Sequence, residues 1–285
     1  MSTGIGALVI TKNEEVALED CLRSLTFCDE IVVVDSFSAD GTVDLARRYA
    51  DLVVQRDFVD FGEQKDFGLS LLGTPWALVV DADERVSTAL AAEIRARVGA
   101  GSHDGFWLYR RNRFFGREIR GAGWKRDRVL RLFLREGARH PDRWVHEEVA
   151  LPTGARIAAC SERLDHFSYD DWPSTFGRLL SYTSRGAAER SRSGLHGSGW
   201  RMGSKPLGRF LRQYLVQGGW KDGLHGYVLC VWSAIGVFVR EAKLCAGETK
   251  IPSAPSGPVR VEVVHDTRDA RAITSRDTTR EGDSA

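Results

Sequence analysis

Between residues 7 and 80 the chain alternates short apolar runs with stretches whose apolar residues recur at helical spacing. Few folds accommodate that pattern. The runs at 7–10, 31–34, 52–54 and 76–80 are rich in β-branched residues and carry no alternation of apolar with polar. This is the pattern of strands buried on both faces. Between them Leu18, Cys21, Leu22 and Leu25, then Val43, Leu45, Ala46 and Tyr49, then Phe67, Leu69, Leu71 and Leu72 mark helices. The order β-α-β-α-β-α-β implies right-handed crossovers and a parallel sheet whose ligands bind beyond the carboxyl ends of its strands. The polar residues that follow those strands are therefore the first candidates for function.

Past Asp81 the pattern changes. A helix is expected at 88–98, then strand-like pieces at 105–110, 129–134 and 145–151, then helical sequence from about residue 178. Basic residues concentrate here. Residues 107–143 hold 12 Lys and Arg against 4 Asp and Glu, and residues 178–221 hold 9 against 1. The whole chain of 285 residues has a formal net charge of only +1, so bulk charge points to neither a nucleic acid nor an acidic partner. An uncharged stretch at 226–239 is too short to cross a bilayer, which takes about 20 residues, but with its basic neighbours it suits an interfacial helix on anionic lipid. A buried helix or a homodimer contact is the other reading. From residue 246 onward prolines, glycines and mixed charges predict a mostly disordered tail. The expected organisation is a nucleotide-binding catalytic domain at 1–155, an acceptor-side helical extension at 156–245 and the tail at 246–285.

Five cysteines without CxxC spacing predict reduced thiols rather than a disulfide scaffold or zinc site. The N-terminal sequence lacks the basic and apolar regions of a signal peptide, so the expectation is a cytoplasmic protein, free or on the cytoplasmic face of the inner membrane.

Asp81-Ala82-Asp83-Glu84 follows the fourth apolar run and places two carboxylates at alternate positions where a strand leaves the sheet. Mg²⁺ or Mn²⁺ takes oxygen ligands, often one or two carboxylates completed by phosphate oxygens and water, so a nucleotide diphosphate fits there. A solvated acidic turn is the alternative. Thr11-Lys12-Asn13-Glu14 and Asp35-Ser36 through Thr42 end the first two strands and open on the same edge, although Asp40, Gly41 and Thr42 also suit a helix cap. Lys65, near the start of the third helix, is placed to meet a diphosphate or to remain a surface lysine.

The segments LVITKNEE, IVVVDSFSADGT, FGEQKDFGL and ALVVDADE, in that order from Leu8 to Glu84, resemble the donor half of a family 2 glycosyltransferase of GT-A fold. Residues 121–133 (GAGWKRDRVLRLF), 144–149 (WVHEEV) and 166–169 (HFSY) resemble the branch that includes lipopolysaccharide-core β-glucosyltransferases. The resemblance spans about residues 5–245. It implies an α/β fold with a Rossmann-like, mostly parallel mixed sheet and a C-terminal helical extension. It further implies transfer of a hexose from a nucleotide diphosphate sugar, a UDP-hexose first, to a saccharide or lipid-linked acceptor of the cell envelope. Thr11, Asn13, Glu14, Asp35, Ser36, Lys65, Asp81, Ala82 and Asp83 would form the donor site, with Asp35 on the base or ribose, Asp83 on the metal, and Asp81 on the sugar and beside the metal. A position where many relatives carry a second acidic residue is Ser36 here.

An inverting transfer needs a base for the acceptor hydroxyl. Glu147 is the first candidate and Asp127 its rival. Trp124, Arg128, Arg131 and His146 are candidates for acceptor or phosphate contacts, and His166 for a third metal ligand or a structural histidine. Two other readings use the same residues: transfer to a polyprenyl phosphate, and a nucleotide- or nucleic-acid-binding module drawing on the arginine-rich stretches. The polar sets at three strand ends are unexplained by the latter.

Overall fold

A computed structural model describes residues 3–141, 149–169, 171–249 and 258–268 of the chain. The expected alternation is present as β1 (Ile5–Thr11), α1 (Glu15–Ser24), β2 (Glu30–Asp35), α2 (Thr42–Tyr49), β3 (Leu52–Arg56), α3 (Phe61–Leu71) and β4 (Trp76–Asp81). There follow β5 (Glu84–Arg85), α4 (Thr88–Ala100), β6 (Gly105–Phe114), β7 (Arg117–Glu118), β8 (Arg128–Leu134) and β9 (Ile157–Tyr169). The C-terminal part consists of α5 (Trp172–Arg192), α6 (Gly199–Leu211), α7 (Gly223–Ala246) and β10 (Val261–Asp266).

These strands form one mixed sheet in the order β10-β3-β2-β1-β4-β8-β6-β9-β5, with β7 on β6. The block β3-β2-β1-β4 is parallel, and every residue of β2 is buried. One apolar cluster, including Val9, Leu22, Val33 and Leu78, fills one face, and another, including Leu8, Val32, Val54 and Phe133, fills the other. Two-sided burial is why these runs lack polar alternation. Thr11 pairs with Asp35 and Ile10 with Asp81, so three polar strand ends lie level at the switch between β1 and β4.

Sequence cues account for the helix ends. Asp60 accepts from the Glu63 N–H at 2.8 Å to cap α3, Ser87 caps α4 through the Leu90 N–H, and Asp171 caps α5 through the Ser174 N–H at 2.8 Å. The structure corrects two expected boundaries. The sheet does not end at 155, because β9 pairs with β6 and β5. Within the stretch expected to be disordered, β10 pairs antiparallel with β3. It covers the edge that would otherwise be open. The expected strand at 145–151 lies largely outside the described residues, with Ala150 bridged to Arg139.

The uncharged stretch at 226–239 is the centre of α7, which packs on α5 and α6. No described helix is long and apolar enough to cross a membrane. A bend at 218–222 before α7 is tied to the sheet side by Asp222, whose carboxylate accepts from the N–H of Gly121 at 2.6 Å and of Arg120 at 3.1 Å. Gly226 makes this approach feasible, since a Cβ there would fall 2.0 Å from the Gly219 carbonyl oxygen. Backbone cannot yield as a side-chain tip can. Gly226→Ala is therefore expected to lose about 1–3 kcal/mol of stability, the scale of overpacking, read as a lower urea midpoint with an unchanged slope.

Candidate active site

Glu84 is fully buried and holds the acidic turn in place. Its Oε2 accepts from the Asp81 N–H at 2.9 Å, and its Oε1 receives Arg110 at 2.8 Å from Nε and 2.6 Å from Nη2. Arg131 Nη2 lies 3.3 Å from Glu84 Oε2 and also pairs with Asp81. Lys65 Nζ is 3.6 Å from Asp81 Oδ1. Burial alone would raise both carboxyls, but Arg131 with Arg110 for Glu84, and Arg131, Lys65 and Arg110 for Asp81, outweigh it and hold both below their ordinary values. Both acids stay ionised inside the protein because their cations come from three other elements.

Asp83 faces a different set. Arg178, from α5, donates to its Oδ2 at 3.1 Å, and His166 Nε2 lies 3.7 Å from its Oδ1. The His166 Nδ1–H donates to Asn112 Oδ1 at 2.6 Å, while Asn112 Nδ2 donates to Asp127 Oδ2 at 2.8 Å. A hydrogen-bonded chain His166–Asn112–Asp127 thus crosses the site, with Asp83 3.7 Å from its His166 end. Strand register explains it: His166 pairs with Glu84 across β5–β9 and with Asn112 across β6–β9. Burial pushes the His166 pKa down despite Asp83, favouring the neutral ring, which presents a lone pair at Nε2 when Nδ1 carries the proton. Ser168 Oγ also sits against that nitrogen.

A carboxylate and a neutral imidazole 3.7 Å apart, the latter oriented by a side-chain amide, suit a divalent cation bound at about 2.1 Å. Among the described residues no group of three or more His, Cys, Asp or Glu is gathered around a common point, so the remaining ligands would be phosphate oxygens and water. Asp81, expected beside the metal, is instead enclosed by Arg131, Arg110 and Lys65, and three cations there disfavour a further one. It remains on the cavity wall where a sugar hydroxyl could meet it.

Asp81, Asp83, Arg110, Asn112, His166 and Arg178 border a cavity of about 790 Å³. Thr11, Glu14, Ser36, Lys65, Asp81, Ala82, Asp83, Trp124 and Asp127 line it, and so does Lys12, which donates to the Ser36 and Phe37 carbonyls at 2.6 and 2.7 Å. Glu14 is pushed up to about 7 by burial and then by the charge of Asp83. The Trp124 ring stacks on Tyr169 at 5.6 Å.

Other expected residues are placed elsewhere. Asp35 is fully buried, and its carboxylate accepts from Thr11 Oγ1 at 3.0 Å, Gln55 Nε2 at 2.9 Å, the Ser38 N–H at 2.8 Å and Ser38 Oγ. It shapes the turn that presents Ser36 rather than meeting a nucleotide itself. Asn13 is exposed and accepts from the Ala39 N–H at 2.8 Å, joining two loops outside the cavity. Arg128 is exposed with its guanidinium over Trp107, and Arg131 is buried against the acidic turn, so neither is the expected phosphate ligand. Trp144, His146 and Glu147 lie outside the described residues. The expectations missed Arg110, Asn112 and Arg178. The first two alternate along β6 onto one face, a signal available in the sequence, whereas Arg178 meets Asp83 only through the docking of α5.

The family model for glycosyl transferase family 2 matches residues 7–159. Over 248 residues the chain is 31% identical to the lipopolysaccharide core biosynthesis glycosyltransferase LpsC of Rhizobium meliloti, covering 84% of this chain and 91% of that protein. An uncharacterised glycosyltransferase of Rickettsia typhi is 25% identical over 253 residues, covering 84% and 86% of the two chains. Among solved structures, residues 1–349 of S. aureus TarS share 16% identity at a TM-score of 0.43, covering 91% of this chain and 96% of that one. The parallel block with its acidic turn falls within the matched segment, and the likeness to LpsC continues through the C-terminal helices: the chain belongs to glycosyl transferase family 2.

Proposed function

We propose that this glycosyltransferase moves a hexose, with inversion, from a nucleotide diphosphate sugar such as a UDP-hexose to a saccharide or lipid-linked glycan of the cell envelope. The name of its relative LpsC, a lipopolysaccharide core enzyme, favours that acceptor class. The observation that carries the reading is the hydrogen-bonded chain His166–Asn112–Asp127, whose His166 end lies 3.7 Å from Asp83, so that one cavity holds a carboxylate–imidazole pair suited to a cation and a second carboxylate where an acceptor would need a base.

In this reading Asp83 and His166 would hold Mg²⁺ or Mn²⁺, which when bound would supply positive charge to the departing diphosphate. Lys65 and Arg178 add fixed charge at the same end, where a dry site makes it most effective. The acceptor oxygen forms its bond to the anomeric carbon as the bond to the diphosphate breaks on the opposite face. Its proton goes to an acceptor-side carboxylate, and Asp127 lines the cavity where such a base is needed, held by Asn112 and with Arg110 Nη1 3.9 Å away.

The surface of α6 and of the segment 212–222 that follows it supports peripheral attachment to an anionic membrane. Trp200, Leu207, Leu211 and Leu215 form an exposed stripe at helical spacing, followed by exposed Val216 and Trp220. Arg212 and Lys221 are exposed among them. Apolar side chains flanked by cations match the interface of a bilayer with acidic headgroups.

Release of nucleoside diphosphate from a panel of nucleotide sugars, with Mg²⁺ or Mn²⁺ and candidate acceptors, tests the reaction. Asp83→Asn is expected to abolish turnover while keeping its thermal transition, and wild-type turnover in excess metal would remove Asp83 from the mechanism. Asp127→Asn is expected to bind donor normally and lose turnover about a hundredfold, the scale of general-base removal. An active Asp127→Asn beside an inactive Glu147→Gln moves the base to Glu147. Vesicles containing phosphatidylglycerol are expected to sediment the protein in a salt-sensitive way, with roughly fivefold weaker binding for Arg212→Ala or Lys221→Ala. Equal sedimentation with neutral vesicles, or a dimer whose contact buries Trp200, rejects membrane attachment.

A further inference from the structure

The wall of the cavity facing the acidic turn comes from α5, α6 and α7. Arg178, Arg185, Arg209 and Arg240 line it, with no carboxylate among the described lining residues of those helices. Arg178 is matched by Asp83, and Arg185 lies over the Phe61 ring at 4.6 Å. Among the described residues Arg240 has only a long ion pair. The nearby carboxylate is Glu241, fully buried, whose Oε1 takes Arg190 at 2.7 Å and Lys205 at 3.2 Å and leaves Arg240 at 3.9 Å. Arg240 Nε is buried without a hydrogen-bond partner among the described residues. Burial first, and then the charge of Arg190, push its pKa below the ordinary value against the attraction of Glu241, and Arg209 adds to the lowering.

Two further features aim this group at a ligand. Gly186 of α5 is buried, and a Cβ there would sit 3.0 Å from Arg240 Cδ, so the missing side chain lets Arg240 pack closely against α5 where both line the cavity. Gln213, only 6% exposed, also lines the cavity, and its Oε1 has no hydrogen-bond partner among the described residues while Nε2 donates to the Ala122 carbonyl at 3.4 Å. A buried amide oxygen without a donor costs about 1–3 kcal/mol, which a ligand hydroxyl would recover.

We propose that Arg209, Arg240 and Gln213 form an acceptor subsite for an anionic sugar, its phosphate or carboxylate on the two guanidinium groups and a hydroxyl donating to Gln213 Oε1. This rests on reading the cavity as a glycosyl-transfer site and adds the chemical class of the acceptor. The donor diphosphate belongs at the other end, beside Asp83 and Lys65. Arginine is suited to the role because its fork meets both oxygens of a carboxylate or phosphate.

Calorimetric titration of the full chain saturated with UDP and Mn²⁺ tests it, since the donor end is then filled. Hexose 6-phosphate and hexuronate are expected to bind at least about tenfold more tightly than the free hexose, the effect of one charge-assisted hydrogen bond. Arg209→Ala and Arg240→Gln are each expected to remove about tenfold of that preference, with UDP affinity unchanged. Arg209 is exposed, so its variant serves even if Arg240→Gln folds poorly. Equal binding of charged and neutral hexose, or an anion preference untouched by Arg209→Ala, overturns the subsite. Hexose phosphate that binds only when UDP is absent assigns the anion to the donor site, and displacement by phosphatidylglycerol vesicles assigns it to a lipid headgroup; both overturn the proposal. A protein that fails to bind UDP refutes the donor-site reading instead, and the comparison of charged with neutral hexose is then read without UDP.

Discussion

Glu84 is the point on which the two halves of the sheet depend. It follows the parallel block directly, yet its partners Arg110 and Arg131 stand on β6 and β8, in the mixed half of the sheet beyond β4. A buried carboxylate is strongly unfavourable unless matched by charge and hydrogen bonds, so the acidic turn reaches its observed form only when those strands are docked. The Asp81 N–H bond to Glu84 then sets where both aspartates of the turn point. The metal and sugar contacts proposed for the turn would thus be linked to the integrity of strands more than twenty residues away in sequence.

The same economy of placement separates two roles that Asp81 and Asp83 would otherwise share. Asp81 is surrounded by Arg131, Arg110 and Lys65, whereas Asp83 meets one arginine and a histidine whose pKa burial lowers. Charge already compensated suits hydrogen bonding to a neutral sugar. Charge only partly compensated, next to an imidazole lone pair, suits a cation. Asn112 links His166 to Asp127, so one amide orients an imidazole and a carboxylate on the same cavity. An amide serves here because it donates with one atom and accepts with the other.

On the far side, the helices contribute cations rather than acids. Their exposed surface is apolar and basic, while their inner surface places Arg209 and Arg240 on the cavity. A protein that takes its acceptor from a membrane surface would have use for both faces: one holds the enzyme at the interface, the other receives the anionic part of the glycan.

The parallel block was legible in the chain because two-sided burial leaves a local trace: β-branched runs without polar alternation, ending in polar clusters. Thr11, Ser36, Lys65 and Asp83 could be placed on the cavity from that pattern and from the family resemblance, and Asp127 from its segment. Other assignments depended on contacts that sequence order does not encode. Arg131 reads like any strand arginine until β8 docks beside β4, where it becomes the partner of Asp81 and Glu84. Asp35 reads like a nucleotide ligand until four internal donors enclose it, and β10 reads as tail until it covers the edge of β3. Periodicity and composition determined the alternation of strand and helix over the first 81 residues, since burial on one or both faces leaves its period in the local sequence. Only the tertiary structure decided which charges are neutralised and which remain to bind a ligand, because a charge in a low-dielectric interior is governed by its nearest partners in space.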